Sequence, residues 1–397
     1  MNPRIALRAF GIPGFLALLI LLLTSACSNP RWETRLRGEA GVSPLFHRGV
    51  IYLASSQYAL MHYIEALDPQ SGSHVWASRI LVEEKCAWLE AVDDILVMGC
   101  GDRVLGMDAA DGFVLWDAEG EGAPVAELCV NRSHILLIRD EGDEEWELSA
   151  LSPHTGRRAW ARDLPSGTSL QCLDDGALLL THNAILKLND RDASIQWATQ
   201  LQGTRRFLGE IDSSLYLIGT EQGATAVDIH DGRTRWMWKG ALEVDPIIHA
   251  GLLYTYSQGR IHAIDAHSGV PRWTRLRPGV QVLGMIGDDT LGAFLAGGIL
   301  FSFHASDGSP SSWRMIAPPV DSIHLTSVGV LWMSGRRLWI LPLDSGIPPA
   351  SARRPVSIRL PAPSSSHAHP SMRTIDAGHV LIQPDAEHLL MVDLSRM

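Results

Sequence analysis

Residues 263–273 read AIDAHSGVPRW, and the chain contains close variants of this eleven-residue stretch several times. ALDPQSGSHVW occupies residues 66–76, GMDAADGFVLW residues 106–116 and AVDIHDGRTRW residues 226–236. Each copy ends a short apolar run at an Asp, has a Gly four residues later, and places a Trp four residues after the Gly. Self-similarity of this kind is typical of proteins that repeat one structural unit many times.

The tryptophan recurs in the same frame along most of the chain, at steps of 37 to 44 residues. Ala193 replaces the preceding Gly once, and the spacing from Gly308 to Trp313 is five residues. Because one large flat side chain returns on the same strand of every unit, we predict that these rings fill the space between successive sheets. The in-frame tryptophans are Trp32, Trp76, Trp116, Trp160, Trp197, Trp236, Trp273 and Trp313.

The Asp and the Gly of each copy predict a tight turn between two strands. The Asp carboxylate can accept hydrogen bonds from backbone N–H groups two residues further on, and Gly adopts a positive φ at little cost. Each unit also has two earlier strand-like runs, such as DPIIHA and LLYTYS before RIHAID. Four short strands in a unit of about 40 residues are the pattern of a β-propeller blade.

These units resemble the PQQ-like propeller repeat, which has the form (V/L)xALDxxTGxxxW. The resemblance covers nearly the whole chain from Trp32 onward and implies an all-β fold with a single propeller of four-stranded blades. Strand ends of the ALD type suggest nine units, whereas eight is the family norm, so eight and nine blades remain alternatives. The last unit, LLMVDL, has no Trp after it, and we predict that RWETRL at residues 31–36 supplies its fourth strand and closes the ring.

The N-terminal segment resembles a bacterial lipoprotein signal peptide. Arg4 and Arg8 precede the apolar run FLALLILLL, and TSAC ends at Cys27, although Thr24 stands where that signal usually has leucine. We therefore expect a signal peptide over 1–26, a lipidated tether over 27–31 and the propeller over 32–397. Ser28 is not an inner-membrane retention signal, which implies the outer membrane, facing the periplasm, of a Gram-negative cell. An ordinary secretory signal and an uncleaved membrane anchor are the alternatives.

Four further cysteines would enter an oxidising compartment. Cys86 and Cys100 are symmetric about Asp93, so a hairpin turn there would bring them face to face on paired strands. A disulfide between Cys86 and Cys100 and two buried free thiols are both consistent with this arrangement. Cys129 and Cys172 each lie next to an aliphatic run, and we expect them to be core residues of neighbouring units.

The residues outside the repeat offer little chemistry. The net charge of −11 argues against a nucleic-acid partner. Quinoprotein dehydrogenases, which share the repeat, use a vicinal cysteine pair, calcium ligands and an aspartate base, and this chain has no adjacent cysteines. The HAH stretch at 367–369 lacks further zinc ligands nearby and is interpreted as a surface loop. We predict no catalytic, cofactor-binding or metal-binding residue, and no cofactor.

A lipoprotein signal followed by a bare propeller resembles the outer-membrane assembly lipoproteins of the family more than its enzymes. We therefore expect a non-enzymatic scaffold that binds envelope proteins and is held to the membrane by its lipid. The alternative is a periplasmic oxidoreductase that binds a quinone or calcium. Since propellers bind partners through variable loops, the partner site is predicted at the acidic stretch 140–147 or at PAPSSSHAHPS, residues 361–371.

Overall fold

The computed structural model describes most of the chain from Arg31 to Asp393. The described ranges are 31–37, 39–40, 42–58, 61–120, 122–142, 145–201, 203, 206–211, 213–219, 223–286, 289–295, 297–316, 320–326, 329–334, 337–342, 356–359, 371–376, 379–383 and 388–393. The predicted signal peptide with Cys27, and the HAH stretch with the rest of 360–370, lie outside these ranges.

Within the described residues the secondary structure is entirely β, in nine antiparallel sheets that we number as blades in chain order. Blade 1 contains β2 (Glu39–Ala40), β3 (Leu45–His47), β4 (Val50–Tyr58), β5 (Met61–Leu67) and β6 (His74–Leu81). Blade 2 contains β7 (Cys86–Val92), β8 (Ile95–Cys100), β9 (Arg103–Asp108) and β10 (Val114–Ala118). Blade 3 contains β11 (Val125–Val130), β12 (Ile135–Gly142), β13 (Glu145–Leu151) and β14 (Arg158–Pro165).

The next three blades repeat the same four-stranded plan with shorter strands. Blade 4 contains β15 (Ser169–Leu173), β16 (Gly176–Leu180), β17 (Ala184–Asn189) and β18 (Ile195–Gln200). Blade 5 contains β19 (Arg206–Ile211), β20 (Ser214–Gly219), β21 (Gly223–Asp228) and β22 (Thr234–Trp238). Blade 6 contains β23 (Ile247–His249), β24 (Leu252–Ser257), β25 (Arg260–Asp265) and β26 (Pro271–Leu276).

The last three blades complete the set. Blade 7 contains β27 (Val280–Met285), β28 (Thr290–Leu295), β29 (Ile299–His304) and β30 (Pro310–Met315). Blade 8 contains β31 (Ser322–Thr326), β32 (Gly329–Ser334), β33 (Arg337–Pro342) and β34 (Val356–Arg359). Blade 9 contains β35 (Ser371–Asp376), β36 (His379–Gln383) and β37 (His388–Asp393), and its fourth strand is β1 (Trp32–Arg35) from the other end of the chain.

The N-terminal strand completes the last blade, as the sequence predicts. β1 pairs antiparallel with β37, with Trp32 opposite Met391 and Arg35 opposite His388. Trp32 also joins an apolar cluster that combines Leu389 and Met391 of blade 9 with Ile51 and Leu53 of blade 1. The first and last blades are therefore neighbours, and the described blades form a ring of nine.

Nine apolar cores hold the ring together, one between each pair of successive blades. The core between blades 8 and 9, for example, joins Leu338 and Ile340 to Ile382 and Leu390. Neighbouring blades also meet through their first strands, as β11 meets β15 and β27 meets β31. The first strand of each blade thus lies nearest the axis and the fourth lies at the periphery, as in other propellers.

The two ends of the ring carry different connections. At one end, which we call the turn face, the first strand turns into the second and the third into the fourth. At the other end, the hairpin face, the second strand turns into the third, and the fourth runs on to the next blade. The repeated Asp-to-Trp stretch lies at the turn face, because the Asp ends the third strand and the Trp is in the fourth, as in β25 and β26.

The repeated turns have the predicted hydrogen bonds. The Asp265 carboxylate accepts from the backbone N–H of Ser268 at 2.9 Å, and the Asp228 carboxylate accepts from that of His230 at 2.8 Å. Gly269 has a φ of 72° and donates its N–H to the carbonyl of Asp265 at 2.8 Å. Ala193, which replaces Gly in blade 4, has a φ of 55°.

The repeated tryptophans reach across the seams between blades. In seven blades the indole N–H donates to a backbone carbonyl in the next blade's turn, and in six of them the ring lies on the next blade's Gly. A Cβ added at Gly269 would be 2.6 Å from Cγ of Trp236, so no larger side chain fits there without movement. The seven donors and their acceptors are Trp32 to Pro69, Trp76 to Ala109, Trp116 to Pro153, Trp160 to Asp190, Trp197 to Ile229, Trp236 to Ala266 and Trp273 to Ala305.

Trp313 departs from the prediction for the eight in-frame tryptophans. Its side chain is 67% exposed instead of lying in the seam between blades 7 and 8. The turn that would receive it follows β33, and residues 343–355 of that turn lie outside the described part of the chain. The sequence frame identifies Trp313 as a member of the series, but the frame alone does not establish that the ring is buried.

Candidate partner-binding face

The acidic stretch predicted as a partner site is a long hairpin on the hairpin face of blade 3. β12 and β13 contain eight and seven residues, compared with six in each of β8 and β9 of blade 2. Asp140 lies in the extra length of β12. Asp140 accepts a hydrogen bond from the N–H of Gly142 at 3.0 Å, and residues 143–144 at the tip lie outside the described residues.

Trp146 lies on β13 and not in a loop, contrary to the expectation for the acidic stretch. It pairs in register with Asp140 on one side and Leu164 on the other. Its partly buried ring packs against the apolar core between blades 3 and 4. The strand that follows the hairpin tip is therefore attached to the propeller by an apolar contact.

A polar cavity of about 720 Å³ runs along the seam between blades 2 and 3 beneath this hairpin. Glu119, Asp140 and Glu147 contribute carboxylates to its wall, and Arg139 and Arg158 contribute guanidinium groups. Glu147 accepts from Arg158 at 3.3 Å, so one carboxylate and one cation of the wall are paired. The remaining carboxylates give the cavity an excess of negative charge.

The floor of this region is fixed by hydrogen bonds between loops. Arg139 is only 7% exposed, and its guanidinium donates to the carbonyls of Asp102 and Ala123 at 2.5 and 2.9 Å. The Asp102 carboxylate accepts from the N–H of Gly122 at 2.8 Å, and the Asp102 N–H donates to Glu84 at 3.0 Å. Because buried charge is tolerated only when its hydrogen bonds are made, Arg139 fixes the relative positions of these loops.

One disulfide lies beside the same region. Cys86 and Cys100 are opposite each other on β7 and β8, around a turn at Asp93 and Asp94, and are bonded at an S–S distance of 2.15 Å. Of the two alternatives left open by the sequence, the structure therefore has the disulfide. Their bond lies immediately before the turn that contains Asp102, so it restrains the floor of the cavity covalently.

Cys129 and Cys172 form the second disulfide, with an S–S distance of 2.18 Å. The sequence expectation placed them as core residues of neighbouring units. They do lie in neighbouring blades, on β11 and β15, but they are only partly buried and are joined. Sequence spacing did not reveal this pairing because the two first strands approach each other only where the ring narrows toward its axis.

A second long hairpin flanks blade 2 on its other side. β4 and β5 of blade 1 contain nine and seven residues. Between the connection that follows β6 and the hairpin of β8 and β9 lies a cavity of about 470 Å³, whose wall includes Glu83, Glu84, Asp102 and Arg103. Burial lowers the pKa of His62 on β5, so this histidine adds no positive charge at neutral pH. The hairpin face of blades 1 to 3, which we call the acidic saddle, therefore has carboxylates along both cavities and loops that are held in place by hydrogen bonds.

Two further observations concern metal ligands and membrane-spanning helices. Among the described residues, no three His, Cys, Asp or Glu side chains are grouped as a metal site would require. In that same part of the chain, no helix has the length and apolar character needed to cross a membrane.

Comparison with known families now adds to this geometry. A family model, PQQ_2, described as outer membrane protein assembly factor BamB, matches residues 23–199, 61–275 and 182–314 in overlapping alignments. The chain belongs to this BamB-like family. The BamB-like matches together cover the repeats of blades 1 to 7. No curated protein sequence matches the chain significantly.

Solved structures show the same BamB-like fold at low sequence identity. BamB from Moraxella catarrhalis is 14% identical, with a TM-score of 0.51 over 79% of this chain and 96% of that one. Sqt1 from Saccharomyces cerevisiae is 10% identical, with a TM-score of 0.53 over 92% and 99%. A europium-containing methanol dehydrogenase is 11% identical, with a TM-score of 0.50 over 79% and 84%. These likenesses support the propeller fold and leave the activity open.

Proposed function

We propose that this chain is a periplasm-facing scaffold, held to the outer membrane by a lipid on Cys27, that binds envelope proteins and assists outer-membrane protein assembly. The observation that carries the proposal is the family match, which spans seven blades and names an outer-membrane assembly factor. The acidic saddle on blades 1 to 3 supports it, because a preorganised polar surface loses little conformational entropy when a partner binds.

The cysteines favour the scaffold over the oxidoreductase alternative. The chain has no adjacent cysteine pair. The four described cysteines are joined in two disulfides, across separations of 14 and 43 residues. A vicinal pair against a quinone, the device of the related dehydrogenases, therefore has no counterpart among them.

The partner-binding role is tested by charge reversal on the acidic hairpin. In cells, we expect chemical crosslinking to join the protein to components of outer-membrane protein assembly, identified by mass spectrometry. Glu141→Lys, Asp143→Lys and Glu144→Lys together should reduce those adducts severalfold, with an unchanged melting temperature. The matched control reverses three exposed acids of the turn face, Asp94, Asp174 and Asp231, and should leave the adducts unchanged. Equal adducts in both variants would rule out the hairpin as the binding element.

The non-enzymatic role is tested on the purified protein from Ser28 onward. We expect no reduction of an artificial electron acceptor with alcohols or aldose sugars, even with added quinone and calcium. Quinone-dependent turnover, without crosslinking to any assembly component, would replace the scaffold by the oxidoreductase.

The anchor is tested by Cys27→Ser. This variant should take up no palmitate label and should remain uncleaved by the lipoprotein pathway, whereas the unaltered chain is labelled. Labelling of the Cys27→Ser protein would contradict the assignment of the lipidated residue.

A further inference from the structure

The position of the first described residues fixes where a short tether leaves the ring. The N–H of Arg31 donates to the carbonyl of Met391 at 2.7 Å, near the end of β37. The next residue, Trp32, is 8% exposed, and its indole N–H donates to the carbonyl of Pro69 in the turn of blade 1 at 2.9 Å. Arg31 is therefore held at the turn face, at the junction of blades 9 and 1.

Only four residue steps separate Arg31 from Cys27. A fully extended chain covers at most about 3.6 Å per residue, so Cys27 is within about 14 Å of Arg31. By comparison, β6 of the adjoining blade, His74–Leu81, has eight residues, and at about 3.3 Å per residue it measures about 26 Å from one face to the other. A lipid on Cys27 consequently cannot be inserted in a membrane that lies against the hairpin face.

From these distances we propose that the propeller is held with its turn face toward the lipid surface, and that the rim of blades 1 and 2 beside the tether contacts that surface. This inference rests on the lipid anchor at Cys27 in the proposed function and adds an orientation and a contact surface to it. The tether is too short for the ring to turn over, so one face is committed to the membrane and the other to the periplasm.

The side chains of that rim suit a lipid interface. Val75, Phe113 and Leu115 are exposed by 56%, 69% and 47%. Val75 and Leu115 lie at the turn-face ends of the outermost strands β6 and β10, and Phe113 immediately precedes β10. Exposed apolar side chains of this size gain free energy when they enter the headgroup and acyl boundary of a bilayer. Val75 is on blade 1, which adjoins the tether, and the other two are on blade 2, which follows it around the ring.

This orientation leaves the hairpin face accessible to a partner. The acidic hairpin of blade 3 and the acidic saddle lie on the hairpin face. With the turn face inward, the carboxylates project into the periplasm, where the partner site of the proposed function would be accessible.

One strand supplies a matched pair of probes for the test. Val75 and Leu81 lie on β6, near its opposite ends, with similar exposures of 56% and 63%. We would label Val75→Cys and Leu81→Cys separately with a small fluorophore in the full lipidated chain, without reductant. Each protein is then bound to phosphatidylcholine vesicles that contain nitroxide-labelled lipid. We expect severalfold stronger quenching at residue 75 than at residue 81.

Flotation of the same vesicles distinguishes a failure of the lipid anchor from a failure of the proposed orientation. Protein that floats but shows equal quenching at both residues, or stronger quenching at 81, overturns the orientation and leaves the anchored scaffold intact. Protein that does not float shows that the anchor itself fails, and the orientation fails with it. The Cys27→Ser protein gives the quenching baseline.

A longer tether tests whether the tether length is what sets the orientation. Insertion of twenty Gly and Ser residues between Pro30 and Arg31 should keep flotation and lower quenching at residue 75 to the level at residue 81. Unchanged quenching at residue 75 would contradict the role of tether length.

Discussion

At the residue scale, the repeated eleven residues act across blades as much as within one. The Asp ends a strand and organises its own turn, while the Gly has a positive φ and also provides the flat surface on which the preceding blade's Trp lies. The Trp, in turn, satisfies its indole N–H with a carbonyl of the next blade. Each copy therefore contributes to two seams: its Gly contacts the Trp of the preceding blade, and its Trp contacts the turn of the next blade. The repeated sequence follows from the repetition of these contacts.

Two substitutions, one at a Gly of the repeated turn and one at the equivalent Ala, should differ in their effect on stability. Gly269→Ala places a Cβ 2.6 Å from Trp236 at a φ of 72° and should lower the free energy of unfolding by about 1–3 kcal/mol. Ala193→Gly, at the equivalent turn of blade 4, removes a methyl group that the structure already accommodates and should change stability little. Urea unfolding of the two variants makes the comparison. Similar losses in both would show that the ring contact is unimportant.

A second pair of substitutions compares a buried tryptophan with an exposed one. Trp236→Ala removes a ring that is 8% exposed together with its hydrogen bond to Ala266, and it should cost about 3–5 kcal/mol. Trp313→Ala removes a ring that is 67% exposed and should cost far less. Thermal unfolding monitored by circular dichroism distinguishes them, and equal melting temperatures would contradict the assignment of the seams.

The turn at Asp265 predicts a pH dependence. Hydrogen bonds from the backbone and hydroxyl of Ser268, followed by Arg272, lower the pKa of Asp265 to about 2. Since an unfolded Asp has a pKa of about 3.9, the carboxylate stabilises the fold above about pH 4, and this contribution is lost as the pH falls toward 2. Asp265→Asn should therefore lower the melting temperature at pH 7, with a difference that shrinks in acid. A difference that is independent of pH would argue against this charge effect.

At the element scale, the long hairpins and the disulfides distinguish blades 1 to 4 from the others. The sequence predicted the four-stranded blade and the turn between Cys86 and Cys100, because both depend on residues close together in the chain. It did not predict the bond between Cys129 and Cys172, because that pair meets only through the convergence of first strands near the axis. It identified the charge of the 140–147 hairpin. It did not predict the cavity beneath the hairpin, because part of the cavity wall comes from the neighbouring blade.

The bond between blades 3 and 4 should contribute measurably to stability. For a separation of 43 residues, loop-closure entropy corresponds to about 4 kcal/mol. Cys129→Ala with Cys172→Ala, in a Cys86→Ala and Cys100→Ala background, should lower the free energy of unfolding by up to that amount. Reductant should produce the same loss in the background protein and no further loss in the variant. An unchanged midpoint in urea would show that the apolar seam alone holds these blades together.

At the scale of the whole molecule, the ring depends on one strand from the far end of the chain. The sequence predicted this closure from the missing Trp after LLMVDL, but left eight and nine blades open, since a weak unit can be either a blade or a long connection. The structure has nine because blade 8 obtains its fourth strand from Val356–Arg359 although no Trp marks it.

Removal of the closing strand tests that dependence. A chain that begins at residue 38 lacks Trp32 and Leu36, both buried in the core between blades 9 and 1. It should show rapid proteolysis within the last blade and a larger hydrodynamic radius, compared with a chain that begins at Arg31. If both chains resist protease equally, the strand is dispensable for closure.

The pairing of Trp32 with Met391 also sets an order of events during biogenesis. The first strand to leave the export machinery is the one whose partner is synthesised last, so it stays single while every other blade can already form from neighbouring residues. Until that partner arrives, the nascent chain is an open arc with an unpaired sheet edge, a form that is prone to aggregation and to misdirected strand pairing. A chaperone that shields extended segments would act in this interval, and the speed of the final pairing would decide how much protein matures.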